Sequence, residues 1–84
     1  MKIASASTIT ATTTPAALPG VDNDWNLSLF MIQPQGGEIY YGNESAQPML
    51  LQDGDTLELP VQSESVYVKS SSGSVTVGVL LFTE

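Results

Sequence analysis

Along this chain apolar and polar positions exchange in short runs, and no stretch repeats its apolar residues at a helical period. The most persistent run is 74–82. It is rich in β-branched residues, alternates strictly at first, and becomes apolar at every position from Val79 to Phe82. A strand with one solvated face has no need of that second apolar set, so its end is expected to be covered on both faces, the second time by another subunit. The run 25–32 repeats the behaviour. Trp25, Leu27, Leu29 and Met31 alternate onto one face, Asn26 and Ser28 onto the other, and Phe30 and Ile32 break the alternation at the far end. Phe30, Ile32, Leu80 and Phe82 are therefore expected to form one apolar association patch.

Shorter strands are expected at 38–41, 49–51, 56–61 and 66–69. The turns between them are carried by Gly36 and Gly37, by Asp53-Gly54-Asp55 and by residues 70–73, the first and last read as hairpins. In 56–61, Leu57, Leu59 and Val61 point inward, and Pro60, which lacks an amide donor, places the strand at an edge or a bulge. Tyr40 and Tyr67 fall on the outward phase of their strands and are candidates for contact with a partner or a glycan. About six or seven short strands with turn chemistry between them predict an all-β protein, a small antiparallel β-sandwich or jelly roll. Residues 1–15 are dominated by Ser, Thr and Ala, with Ile3 and Ile9 the large apolar side chains before Pro15. They are expected to form an extended or flexible N-terminal arm outside a sandwich domain of residues 16–84, one that joins a sheet of this or a neighbouring molecule with Ile3 and Ile9 as contact residues, or else a disordered leader.

Composition narrows the function. The chain has 84 residues and neither cysteine nor histidine, so disulfides and nearly all transition-metal sites are excluded. For a domain this small, association is the remaining source of extra stability. A net charge of −7, with Lys2 and Lys69 the only cations, argues against nucleic acid and against an anionic membrane. Residues 1–14 lack the apolar core of a secretory signal, so a soluble, unexported protein is expected, and the absence of cysteine fits synthesis in a reducing cytosol.

The same residues leave little for catalysis. No histidine is present to activate a nucleophile, and neither lysine lies in a setting that suits a general base. Asp53, Asp55 and Glu58 form one acidic group and Asp22 and Asp24 another, but neither follows the spacing of a calcium loop, so they are expected as solvated turn acids. No metal, no cofactor and no enzymatic activity are expected. Trp25 is expected in the core.

Five segments carry a resemblance. Ile39-Tyr40-Tyr41-Gly42, then 51–59 in the pattern L-x-x-G-x-x-L-x-L, then Val66-Tyr67-Val68-Lys69, a Ser/Gly loop at 70–73 and a Val-rich strand at 75–81 resemble small all-β virion proteins of tailed bacteriophages. The resemblance covers about half of the chain and includes no catalytic signature. It implies a structural subunit, a capsid decoration (cement) protein or a fibre base, made in the host cytoplasm and placed on the capsid surface. The partners it implies are further copies of the chain, as a homo-oligomer such as a trimer, and a major capsid protein. The competing expectation is a receptor- or glycan-binding sandwich of a tail fibre or neck component.

Overall fold

A computed structural model describes residues 2–19, 29–60 and 63–83. Eight strands run in order: β1 (Lys2–Ala11), β2 (Ala16–Ala17), β3 (Leu29–Gln35), β4 (Ile39–Gly42), β5 (Met49–Leu51), β6 (Leu57–Leu59), β7 (Tyr67–Ser70) and β8 (Val75–Thr83). A 3-10 turn, Ser63–Ser65, precedes β7. The strands form two four-stranded antiparallel sheets, ordered β1-β8-β3-β6 and β2-β7-β4-β5. The protein is a small all-β sandwich, and the pairs β1·β8, β2·β7, β3·β6 and β4·β5 nest like the rungs of one long hairpin bent at residues 43–48. Adding β8·β3 and β7·β4 rolls that hairpin into two sheets, which is the connectivity of a jelly roll.

The core is the space between the sheets. From the first sheet come Val75, Val77, Val79 and Leu81 of β8 and Phe30, Ile32 and Pro34 of β3; from the second come Ile39, Leu51 and Val68, closed by Ala11, Leu18 and Val66. Strict alternation along β8 puts these valines inside and leaves Thr76, Gly78, Leu80 and Phe82 on the outer face.

Four expectations are corrected by this arrangement. Phe30 and Ile32, expected at an association patch, are wholly buried between the sheets, while Leu29 and Met31, on the other face of the strand, are only half-buried. Strand β3 does not stop at Ile32. It continues to Gln35, and over that length the set Leu29, Met31, Gln33, Gln35 turns polar while Phe30, Ile32, Pro34 stays apolar, so the second set takes the core. Pro34 is tolerated because β6 pairs only with Phe30, Met31 and Ile32, leaving β3 without a strand neighbour on that side at Pro34. The Pro34 carbonyl there accepts the Gly54 N–H at 2.9 Å.

Residues 2–11, expected as an arm outside the sandwich domain, are an edge strand of it, running the length of β8 in this chain's own sheet with one β-bulge between Ile3 and Ser5. Their alternation is weak because one side of β1 is solvated over most of its length, so a sequence of Ser, Thr and Ala suffices. The turns at Gly36 and Gly73, read as hairpins, connect different sheets, as does the one at Gly54; each glycine has positive φ, 98°, 66° and 84° respectively. The 43–48 connection joins neighbours in one sheet. Trp25 and the rest of 20–28, with Asp22 and Asp24, and also Val61, lie outside the described residues.

Candidate functional site

Register fixes what shares each outer face. On the first sheet, Ile3 stands opposite Phe82, which stands opposite Leu29; the next row is Ala6, Leu80, Met31 and Glu58; then Thr8, Gly78 and Gln33; then Thr10, Thr76 and Gln35. The face is apolar at one end and amide- and hydroxyl-lined at the other. Ile3 is 56% exposed, and Leu29, Met31, Leu80 and Phe82 are each half-buried although they face away from the core.

Between the two ends a shallow open cavity of about 300 Å³ lies over Gly78, bordered by Ala6, Thr8, Met31, Gln33, Gln35 and Leu80. Gly78 has no side chain, and the Gln35 amide reaches over it, with Nε2 3.1 Å from where a Cβ would stand. Gln33 Nε2 donates to the Gly54 carbonyl at 3.0 Å and Gln35 Nε2 donates to Gln33 Oε1 at 3.3 Å.

The second sheet presents another set. Tyr40 faces outward between Leu50 on β5 and Lys69 on β7, and Tyr67 lies opposite Gly42 and Ala17. Val66 and Val68 on either side of Tyr67 are buried, as is Ile39 beside Tyr40, whereas Tyr41 packs on the core. Leu50 is 45% exposed, so this face is also apolar and aromatic near the β5 edge. Over Gly42 the 43–48 loop closes on itself. Asn43 Oδ1 accepts from the Ser45 and Ala46 N–H groups, both at 2.9 Å, and Gln47 Nε2 donates to the Asn43 carbonyl at 2.7 Å.

The eight residues named from the sequence thus separate into three groups. Ile3, Leu80 and Phe82 come together on the outer face of the first sheet. Tyr40 and Tyr67 share the outer face of the second, as their strand phase implies. Phe30 and Ile32 are core, and Ile9, opposite Val77, packs partly against the same core. Leu29 and Met31, not among the residues named for the association patch, complete the apolar end of the first face. The signal that could have found them was the continued alternation through Gln33 and Gln35, hidden by ending the strand at Ile32.

The acidic turn has a structural use. Asp53 Oδ1 accepts the Gly36 N–H at 2.9 Å, tying the β5–β6 connection to the β3–β4 connection. Among the described residues no group of three or more acidic side chains is placed to hold a metal ion, and no helix is long and apolar enough to cross a membrane. Comparison with known proteins gives no matching family, no similar curated protein and no similar solved structure.

Proposed function

We propose that the protein is a non-enzymatic structural subunit that acts by burying the apolar end of its first sheet against another protein. The observation behind this reading is that Ile3, Leu29, Met31, Leu80 and Phe82 line up across three adjacent strands on the face opposite the core. A side chain of this size contributes roughly 1.5–3 kcal/mol when fully buried, so several together are enough to drive association against its entropic cost. The sandwich behind them is a stiff support. Read with the resemblance over residues 39–81, the specific proposal is a capsid decoration subunit that stabilises a phage head, its outer face seated on the capsid protein. Jelly rolls host capsid and lectin functions alike, so the fold does not choose between them.

The test is Phe82→Asp, which places a charge at the centre of the Ile3–Phe82–Leu29 row without entering the core. Its far-ultraviolet circular dichroism is expected to match the parent while co-sedimentation with capsids falls at least tenfold. Unchanged capsid binding would remove the face from the proposal.

A second reading is favoured by a separate observation. Tyr40 and Tyr67 lie on one exposed face with Lys69 beside Tyr40, an arrangement that suits stacking on sugar rings. Binding to a glycan array that is lost in Tyr40→Ala with Tyr67→Ala, and retained in Phe82→Asp, would replace the first reading by this one.

A further inference from the structure

A sandwich of two four-stranded sheets has four edge strands, here β1, β6, β2 and β5. Three are blunted. β2 is two residues long between Pro15 and Pro19. β5 has three residues, entered from Pro48 and left toward Asp53 and Asp55; β6 has three, carries Glu58 and ends at Pro60. Short edges, prolines and charges are the usual devices that stop a strand from recruiting another.

The fourth edge carries such devices only at its start, where Lys2 is its first residue and a bulge follows Ile3. β1 is ten residues long, and from Ile3 to Ala11 it contains no charged side chain and no proline. Its bulge lies at one end, between Ile3 and Ser5, leaving 5–11 as a regular ladder of Ser, Thr, Ala and Ile. One side of that ladder pairs with β8. On the other side every second residue directs its N–H and C=O away from the sheet, and among the described residues no strand or loop backbone meets them.

Charge identifies what pairs there. All nine carboxylates lie at Asp22 or beyond, and 3–21 is the longest uncharged stretch of a chain of net charge −7. Two copies repel one another unless they meet where charge is sparse, and β1 is such a place. A cationic partner would be drawn instead to the acidic turns. Antiparallel pairing of a strand with its own copy also places the same edge on both sides of a two-fold axis, so that both free edges are satisfied at once.

We propose that β1 pairs edge to edge, antiparallel, with β1 of a second copy, joining two four-stranded sheets into one continuous sheet across a two-fold axis. The pairing consumes the free edge and therefore closes at two copies. It does not depend on the face contact proposed above, because its bonds are backbone bonds in the plane of the sheet.

The decisive experiment is residue-resolved amide hydrogen exchange of the full chain at several concentrations, together with sedimentation equilibrium. Alternate amides within 5–11 are expected to exchange fast when dilute and to become protected as dimer forms, while the amides paired with β8 stay protected throughout. Raising the salt from about 10 to about 150 mM is expected to tighten the dimer at least about tenfold, because the screening length falls from about 30 to about 8 Å and the repulsion between acidic copies fades. Thr8 is exposed on β1, and Thr8→Lys is expected to weaken the dimer at least tenfold, with the circular dichroism and melting of the monomer unchanged. That variant lowers the net negative charge, so a weaker dimer could not be ascribed to added repulsion between whole molecules. Any of three results overturns the pairing: a monomer at all concentrations, alternate amides protected even in the dilute monomer, or a dimer whose alternate amides still exchange fast. The last leaves the face contact standing, whereas loss of capsid binding in Phe82→Asp with an intact dimer separates the two surfaces the other way.

Discussion

Gly42 shows how closely single positions are specified. A Cβ built there would fall on the Ala46 carbonyl and within 2.8 Å of Gln47 Cα, because the 43–48 loop folds directly over it. Alanine at this position must displace backbone, so Gly42→Ala is expected to destabilise by about 1–3 kcal/mol, read as a lower urea midpoint with an unchanged slope. Asp53 acts at the same scale but through a bond. Removing its acceptor frees the Gly36 N–H that it holds at 2.9 Å, and since the group is exposed the expected cost of Asp53→Ala is about 1 kcal/mol. Asp53→Asn keeps an oxygen acceptor and should lose less; equal losses in the two variants would mean that the hydrogen bond is not what Asp53 contributes. Calcium is expected to leave the melting temperature unchanged, because the carboxylate is already engaged by the turn.

Strands are the scale at which sequence reading and structure part most clearly. In β8 the alternation was strict only as far as Gly78, and Leu80 and Phe82 lie outside the core as a second apolar set. In β3 two alternating sets were both apolar over residues 29–32, and only the continuation through Gln33 and Gln35 decides between them. In β1 there is hardly any apolar signal. Ile9 and Ala11 reach the core while Ser7 and Thr8 are exposed, so nothing in the composition distinguishes a strand from a detached arm. Deletion of residues 2–11 separates those possibilities. An arm could be removed without effect on stability; removal of β1 would strip one whole side of the β8 ladder, and the expected outcome is loss of the cooperative thermal transition measured by circular dichroism.

For the whole molecule the governing fact is that the first strand pairs with the last and the second with the seventh, around a hairpin at residues 43–48. Such nesting makes most strand pairing distant in sequence, and loop closure must be completed before those contacts return any stability. Refolding is therefore expected in milliseconds to seconds, followed by stopped-flow circular dichroism; a microsecond relaxation would contradict the topology. The same plan sets the surface. Rolling a hairpin into two sheets hides one face of every strand, and it leaves two outer faces and four edges from which any partner must choose.

By itself the sequence determined that the chain is all-β, roughly where strands and turns fall, that Tyr40 and Tyr67 point outward, and that no thiol or imidazole chemistry is present. These follow from backbone sterics, side-chain period and residue identity, which act locally. Only the tertiary structure decided which side of β3 meets the second sheet, whether a glycine turn joins neighbours or crosses between sheets, and that β1 belongs to its own sheet. An alternating strand defines two faces equally well, and a tight turn reverses or redirects the chain with the same residues. What selects between them is the packing of segments far apart in the chain, which no local pattern contains.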